Sequence, residues 1–343
     1  MAMNEWESLL KANLMDWLLG GDNPSVRFFT LIELMGRSRS SAEVSEAKSQ
    51  IMEKGVVPKI LARQNKDGYW EEPEKFYTAK YKGTVWQLII LAELGADGND
   101  ERIRKACEFM LSCSQDLGSG GFSLWTSVRA GGGRHSGVIP CLTGNMVWSL
   151  ICLGYLEDPR VRKGIDWIVR YQRFDDGVLK TPKEWPYDKY ESCWGRHTCH
   201  MGAVKALKAL AEIPLLKRSK SVKNTIEQGA EYLLKHHIHK RSHDLSRISR
   251  PKWLCLGFPW MAQTDIVEIL LILLKLGCRD HRMQEAVDVV ASKQGKLGKW
   301  LLESTFNGRY QINIEQKGRP SKWVTLNALR VLKSYYSRSD ILC

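Results

Sequence analysis

The chain has 343 residues and a formal net charge of +13, with 43% hydrophobic and 26% charged residues. This balance is typical of a globular protein with a sizeable core, and it excludes the disordered, collagen-like and disulfide-scaffold classes. The longest aliphatic run, residues 269–274, is far shorter than the ~20 residues of a membrane-spanning helix, so no transmembrane segment is expected.

The N-terminus and the cysteines indicate a reducing compartment. Glu5 and Glu7 lie where a signal peptide would carry positive charge, so no export is expected. The nine cysteines are an odd number spread over a long chain, which does not suit a disulfide framework. The sequence therefore predicts a cytoplasmic protein.

The excess of basic residues favours anionic partners such as phosphorylated small molecules. It is concentrated at 217–220 and 235–252, and the second segment also contains four histidines, at 236, 237, 239 and 243. The favoured interpretation of this histidine-rich segment is a solvated basic loop between helices. Because interleaved aromatic residues and nucleic-acid motifs are missing, no binding to nucleic acid is expected.

Apolar helical segments recur along the chain with a period of about 59 residues. The first three end at Gly36, Gly95 and Gly154, and these glycines are 59 residues apart. Glycine is a common helix stop because it adopts the left-handed conformation without strain. The six predicted helices of this kind span 26–36, 84–95, 143–154, 200–213, 266–277 and 323–335.

More polar, amphipathic helices are predicted between them, at 100–113, 158–172, 223–237 and 282–294. Most are followed by a glutamine, a few polar residues and a glycine, and residues 64–70 are an earlier copy of this turn. Each unit is therefore a helical hairpin. Helices that are apolar all round suit an inner ring, and amphipathic helices suit an outer ring. The sequence predicts an all-α fold, a closed (α/α)6 toroid of six helical hairpins forming one domain over 1–343, with an additional N-terminal helix within residues 1–20.

Turns of the Gln-x-x-x-Gly-Trp type between paired helices resemble the repeats of squalene-hopene cyclases and of protein prenyltransferase β-subunits, over most of the chain. The resemblance implies the toroid fold. It also implies an enzyme that acts on a hydrophobic, isoprenoid-like substrate in a central cavity. Toroids of this kind host several chemistries, so the reaction does not follow from the fold.

Residues just before each inner helix are expected to converge at one end of the central cavity, and one such segment has the composition of a metal site. Cys193, His197 and His200 share a face if they lie on one helix, and Cys141 lies about one repeat earlier. Thiolates with imidazoles favour tetrahedral zinc. The alternative is that the cysteines are small core residues and the histidines bind backbone carbonyls.

The resemblance supports the metal interpretation in part. Prenyltransferase β-subunits bind zinc through an Asp-x-Cys before one inner helix and a histidine at the next, and Cys141 and His197 match that cysteine and histidine. Ile139 stands where the family has aspartate. A third ligand would then come from Cys193 or His200, or the site does not exist.

A glycine-rich segment, residues 129–137, precedes Cys141 and contains Arg134 and His135. Glycines let backbone amides approach an anion, and Arg134 can bind phosphate oxygens in a bidentate manner. By position the segment resembles the part of the prenyltransferases that binds an isoprenoid diphosphate. The alternative is a flexible surface loop.

Asp265 and three aromatic residues complete the candidate site. Squalene-hopene cyclases carry an Asp-x-Asp-Asp cluster before a late inner helix, whereas here Asp265 is the one carboxylate in residues 261–265, so alkene protonation is not expected. Asp265 is instead a candidate general base or metal ligand, or simply a favourable partner of the helix N-terminus. Tyr81, Trp260 and Trp323 are candidate cavity walls that suit a hydrophobic chain or a cationic intermediate.

The sequence thus predicts an enzyme of the terpenoid cyclase and prenyltransferase superfamily, a transferase or a cyclase with zinc as the expected cofactor. Its expected partner is a hydrophobic or diphosphate-bearing small molecule. Two alternatives remain open: a non-catalytic toroid that binds a lipid or a protein, and a lyase or hydrolase with an unrelated substrate.

Overall fold

The computed structural model describes residues 6–337, and within that span the chain is dominated by helices. The all-α prediction is confirmed at this level. The helices, numbered in chain order, are α1 Met15–Leu18, α2 Pro24–Phe29, α3 Ala42–Glu53, α4 Val56–Leu61, α5 Thr84–Glu93, α6 Glu101–Cys113, α7 Pro140–Cys152, α8 Pro159–Tyr171, α9 Glu191–Trp194, α10 His200–Ala211, α11 Lys220–Lys235, α12 Ile266–Lys275, α13 Gln284–Ser292 and α14 Lys322–Tyr336.

The strands form two short antiparallel ribbons. Thr126–Ser127 (β1) pairs with Gly132–Gly133 (β2), and Lys240–Arg241 (β3) pairs with Asp244–Ile248 (β4). No helix within residues 6–337 is long and apolar enough to cross a membrane.

The six predicted apolar segments are helices α2, α5, α7, α10, α12 and α14. In α5 every residue from 84 to 92 is buried, as expected for a helix with neighbours on all sides. Contacts between these helices run from α5 through α7, α10 and α12 to α14, and α14 contacts α2. The first segment continues beyond α2 as a π-helical stretch, Thr30–Leu34.

The predicted amphipathic helices are also present, and each packs on its apolar partner: α6 on α5, α8 on α7, α11 on α10 and α13 on α12. In the first hairpin this position is taken by α3, which contacts α2, followed by α4. The glycine stops at 36, 95, 154 and 277 all have positive φ angles, from +67° to +94°. Glycine tolerates this backbone conformation because it has no Cβ.

The turns after the outer helices use the same contacts in successive repeats. Gln64 donates its side-chain amide to the carbonyls of Gly68 and Arg102, which ties its turn to the first residues of the next outer helix. Gln115 makes the equivalent pair of bonds one repeat later. A threonine at the start of the following helical segment accepts a backbone N–H of the turn in three repeats, Trp70 to Thr84, Phe122 to Thr143 and Trp300 to Thr325, at 2.9–3.1 Å.

The N-terminal segment departs from the prediction. Instead of the single helix expected within residues 1–20, the structure has a 3-10 turn, Glu7–Leu9, and then α1, while residues 1–5 lie outside the described span. The break follows from local contacts, because Asn13 accepts the backbone N–H of Met15 at 3.0 Å. In addition, Lys11 donates its backbone N–H and its ammonium to Gln294, at 2.6 and 2.7 Å, so this segment is bound to the last predicted Gln-x-x-x-Gly-Trp turn.

Candidate functional site

Two neighbouring cavities lie at the N-terminal ends of α10 and α12. The first, which we name the Asp265 cavity, has a volume of about 400 Å³ and is lined by Asp265, Trp253, Trp260 and Phe306 among others. The second, the histidine cavity, has a volume of about 510 Å³, and the side chains that line it include Asp176, His197, His200, His236 and His243. The cavities share Met201, Ser249, Arg250 and Trp253, so they are separated by a common wall.

Asp265 is the N-cap of α12 and is 3% exposed. Its Oδ1 accepts the backbone N–H of Glu268 at 3.0 Å, and its Oδ2 accepts that of Gly257 at 2.8 Å. Burial raises the pKa of Asp265 to about 6, against the opposing effect of the hydrogen bonds from the backbone N–H groups of Glu268 and Gly257. The residue therefore partners the helix N-terminus and also forms part of a cavity wall, while its catalytic role stays a prediction.

The three aromatic residues predicted to line the cavity lie at different depths. Trp260 lines the Asp265 cavity directly. Tyr81 lies behind Phe306, a lining residue, with ring centroids 4.1 Å apart. Trp323 is stacked on Phe258 at 4.2 Å, and Phe258 in turn contacts Trp260 edge-on. Tyr81 and Trp323 thus support the wall from the second layer and do not line this cavity.

A buried ionic cluster borders the Asp265 cavity and was not anticipated. Lys205 donates to both carboxylate oxygens of Glu268 at 2.7 Å and to the carbonyl of Gln263, a lining residue, at 3.0 Å. Lys208 donates to Glu268 at 2.9 Å and also to Glu93. All four charged side chains are at most 10% exposed.

The cluster joins three of the apolar helices, since Glu93 lies in α5, the two lysines in α10 and Glu268 in α12. The Lys208 ammonium also lies 3.8 Å from the ring centroid of Trp148 in α7. Burial lowers the pKa of Lys205 and raises that of Glu93. Burial acts to raise the pKa of Glu268 as well, but the two lysines outweigh it and hold this pKa below its usual value. Charged side chains therefore fill the space between these helices.

The four predicted metal ligands are not brought together. The prediction assumed one helix over residues 193–200, but α9 ends at Trp194 and α10 begins at His200, with non-helical residues between. Cys193, His197 and His200 therefore share no helix face. Within residues 6–337 one group of three or more such side chains has its ligand atoms within 4.8 Å of one another, namely Asp176, His197 and His243. Of the predicted ligands, it contains His197 alone.

Burial shifts the pKa values of the other three predicted ligands, Cys141, Cys193 and His200. Burial raises the pKa of the Cys141 thiol to about 12 and that of Cys193 to about 11, and neighbouring thiols add to both shifts. The His200 ring lies against Trp253, with centroids 4.4 Å apart, and burial lowers its pKa. These features match the alternative interpretation of the cysteines as small core residues, and zinc binding by this set stays a prediction.

The glycine-rich segment does not offer the expected amide cradle. The N–H groups of Gly131, Gly133 and Gly137 all donate to backbone carbonyls of the same loop region, and part of the segment forms the ribbon of β1 and β2. A Cβ at Gly133 would lie 2.0 Å from the carbonyl oxygen of Ser114. This glycine is therefore needed for close backbone contact, and the amides of Gly131, Gly133 and Gly137 are already bonded within the protein, so anion binding by this segment stays a prediction.

Arg134 and His135 are exposed, and neither lines the Asp265 cavity or the histidine cavity. The Arg134 guanidinium lies 5.8 Å from the ring of Trp125. His135 has its Nδ1 2.7 Å from Asp116 and is stacked on Trp185, with centroids 3.9 Å apart. Diphosphate binding by Arg134 and His135 stays a prediction, and such binding would take place at the surface of the protein.

Several lining residues were not anticipated, chiefly Trp253, Phe306, Asp176 and His243. One departure from the repeated turn pattern could have indicated Asp176 from the sequence. In three repeats the threonine at the start of the inner segment accepts the N–H of an aromatic residue, whereas in this repeat Thr198 accepts that of Asp175 at 3.0 Å. Asp175 takes the place of the aromatic residue in this turn, and Asp176 follows it. Such departures from a repeat often mark functional positions.

Among known proteins, the chain is similar at a low level to solved structures of one enzyme. No protein-family model and no curated protein sequence matches the chain. Solved structures that match include the type II terpene cyclase MstE from Scytonema in its apo form, with a TM-score of 0.43 and 15% identity over 91% of this chain and 87% of that chain. Two variants of the same enzyme in complex with its substrate geranylgeranyl dihydroxybenzoate match with TM-scores of 0.41 and 0.40 and identities of 15% and 16%, over 92% of this chain and 87% of those chains.

Proposed function

We propose that this chain is a terpenoid cyclase-like enzyme that acts on a hydrophobic, isoprenoid substrate in the Asp265 cavity. One observation carries the proposal: a buried carboxyl group with a raised pKa shares a cavity wall with three aromatic side chains, Trp253, Trp260 and Phe306. A few polar groups in a cavity of this size are typical of small-molecule sites. Perturbed titratable groups in such cavities are candidates for proton transfer.

The environment of Asp265 favours a base over a strong acid. A pKa of about 6 leaves the carboxylate largely ionised at neutral pH and makes it more basic than an ordinary aspartate. Its two accepted N–H groups occupy only part of the lone-pair capacity of a carboxylate. In a polyprenyl diphosphate, departure of the diphosphate with the C–O electron pair would leave an allylic cation. Asp265 would then accept a proton from the carbon next to the cationic centre, and the C–H electron pair would become a double bond.

The aromatic side chains would stabilise the positive charge that this reaction requires. A cation near the face of an aromatic ring is attracted by the ring quadrupole, and the attraction is larger where water is excluded. Trp253 and Trp260 are each less than 10% exposed. The aromatic part of the wall suits a hydrocarbon chain with developing positive charge, whereas Arg250 and Lys252, which line the same cavity, favour an anionic group of the substrate.

We further infer that the six apolar helices close into a ring. The contacts from α5 to α14 and then to α2 account for five of the six neighbouring pairs. The remaining pair is α2 with α5, and two observations support it. A Cβ at Gly95, just after α5, would lie 2.9 Å from the ring of Phe29 in α2. Lys48 of α3 also donates to the carbonyl of Gly95 at 2.6 Å.

The proposal is tested by incubating the purified protein with polyprenols, polyprenyl diphosphates and linear polyenes, with and without divalent metal, and analysing products by gas chromatography with mass spectrometry. Asp265→Asn keeps a side chain that can cap α12 but removes the base. We expect it to lower turnover by about 100- to 10,000-fold, the usual contribution of a positioned acid or base. Substrate binding, followed by tryptophan fluorescence, should persist.

Asp158→Asn is the control, because Asp158 is also a helix N-cap, accepting the N–H of Arg160 at the start of α8, and lies outside the lining of both cavities. It should retain full turnover. Conversion of an isoprenoid by Asp265→Asn at the wild-type rate would contradict the base role. No conversion of any compound by the wild type would contradict the proposal as a whole.

A second candidate is a non-catalytic toroid that binds a lipid. It is favoured by the ionic cluster, which occupies space between α5, α10 and α12 that a long substrate in a central channel would need. Saturable binding of an isoprenoid without chemical change, unaffected by Asp265→Asn, would support this candidate.

A further inference from the structure

Asp176, His197 and His243 meet at the histidine cavity although they come from separate parts of the chain. Asp176 Oδ1 lies 3.9 Å from His197 Nδ1, and its Oδ2 lies 3.3 Å from His243 Nε2. The carboxylate is buried, whereas the two imidazoles are more than half exposed. His243 Nε2 also lies 2.9 Å from the backbone oxygen of Asp176. A metal ion would replace that hydrogen bond.

A fourth side chain gives independent support for a cation at this point. His236 is 8% exposed, and its Nδ1 lies 3.0 Å from the carbonyl oxygen of Lys240. Because a carbonyl only accepts, Nδ1 carries the proton. His236 Nε2 is buried, makes no hydrogen bond within residues 6–337, and lies 3.3 Å from Asp176 Oδ1. In the neutral ring this nitrogen lies 3.3 Å from the carboxylate oxygen with no proton between the two acceptors, and a bound cation would relieve their repulsion.

The backbone around Asp176 is shaped to let these groups approach. Gly177 has a φ of +86°, which favours glycine, and a Cβ there would lie 2.3 Å from the His197 ring, so a larger residue would displace the imidazole. Ser242 donates its hydroxyl to Asp176 Oδ2 and helps to orient the carboxylate. Carboxylates that ligate metals are commonly held by such outer hydrogen bonds.

We propose that Asp176, His197 and His243 bind one zinc ion at the mouth of the histidine cavity, leaving a coordination position open. Two imidazoles and one carboxylate with a vacant position are a ligand set of catalytic zinc sites. Nitrogen and oxygen donors also suit other first-row divalent metals, and zinc binds such sites more tightly than manganese or iron(II). Arg241 and Arg250 line the same cavity and favour an anion or hydroxide as the fourth ligand. This site is independent of the reaction proposed for Asp265.

The test uses the full chain purified without chelator, with metal measured by mass spectrometry and zinc affinity measured by calorimetry after chelator treatment. We expect about one zinc per chain. Loss of an outer hydrogen-bond partner lowers metal affinity by about 10- to 100-fold, so loss of a ligand in His243→Ala should lower it by more than that. His243 is 67% exposed, which makes this variant compatible with folding. Cobalt(II) bound in place of zinc should give visible absorption bands that are absent from the variant.

His281→Ala is the matched control, because the exposed His281 lies 3.3 Å from the half-buried Asp280, and no third ligand joins this pair within residues 6–337. It should bind zinc like the wild type, and Cys141→Ala should as well. Loss of zinc in Cys141→Ala with retention in His243→Ala would overturn the assignment in favour of the cysteine set. Absence of stoichiometric binding in the wild type after zinc loading would overturn the site altogether. Both readouts are independent of isoprenoid turnover.

Discussion

Replacing Glu268 by glutamine removes one negative charge from the ionic cluster while preserving the shape of the side chain. In the native protein two lysines and two glutamates are buried together, so their formal charges balance. Glu268 accepts three of the lysine contacts, two from Lys205 and one from Lys208, at 2.7–2.9 Å. After the substitution the two ammonium groups share Glu93 as their remaining carboxylate in the cluster.

The expected loss of stability in Glu268→Gln follows from the burial of the ionic cluster. Breaking a buried ion pair by removing one partner costs about 3–5 kcal/mol, because the remaining charge is left uncompensated in a medium of low polarity. We expect Glu268→Gln to fall in this range. Glu93→Gln should cost less, since Glu93 contacts Lys208 and leaves both lysines bound to Glu268. A charge-assisted hydrogen bond corresponds to about 1.5–3 kcal/mol.

The free energy of unfolding in urea, followed by far-ultraviolet circular dichroism, measures these differences. Glu157→Gln is the surface control, because Glu157 pairs with Lys217 and both are more than half exposed, and it should leave the free energy of unfolding unchanged within error. The double variant Lys205→Met with Glu268→Leu should be more stable than Glu268→Gln, because it leaves Lys208 balanced by Glu93. A double variant as unstable as the single one would refute charge balance as the cause.

Three further outcomes are expected. Asp265→Asn should remove a pH dependence of the free energy of unfolding, measured in urea at several pH values. Because burial raises the pKa of Asp265 from 3.8 to about 6, the carboxyl group stabilises the folded state fully below pH 3.8, and this stabilisation of about 3 kcal/mol is lost as pH rises through 6. Thr143→Val should lower the free energy of unfolding by about 1–3 kcal/mol in the same assay, because the buried N–H of Phe122, which donates to the Thr143 hydroxyl at 2.9 Å, is left without an acceptor. Gly133→Ala should lower the melting temperature, since its Cβ would lie 2.0 Å from a backbone oxygen of Ser114, whereas Gly21→Ala, with nothing within 4 Å of its Cβ, should have little effect.

The apolar helices could be predicted because their signal is local. A helix buried on all sides is apolar all round, as in α5 and α12, and the glycine that ends it repeats at the same spacing. The turn glutamines were also predictable, since Gln64 and Gln115 bind backbone groups close to them in sequence or in the adjacent repeat. These features depend on composition and period, which a single sequence displays.

The site could be predicted only in part, because the period indicates which helices are neighbours but not which of their side chains meet. His243 lies 67 residues after Asp176, and Glu268 lies 63 residues after Lys205. Nothing in a helical pattern distinguishes a lysine that faces a buried glutamate from one that faces solvent. The assumption of a continuous helix over residues 193–200 also failed, since Gly195 adopts a ψ of −162° and interrupts it.

The position of the ionic cluster limits what the Asp265 cavity can hold. Gln263 and Trp260 line the cavity, and behind them Lys205 donates to the Gln263 carbonyl while the Lys208 ammonium lies 5.5 Å from the ring of Trp260. A ligand that extended deeper between the apolar helices would have to separate these lysines from Glu268. Separating buried charges from their partners costs several kcal/mol, comparable to the gain from burying a few methylene groups. A substrate is therefore expected to remain at the N-terminal ends of α10 and α12, within reach of Asp265.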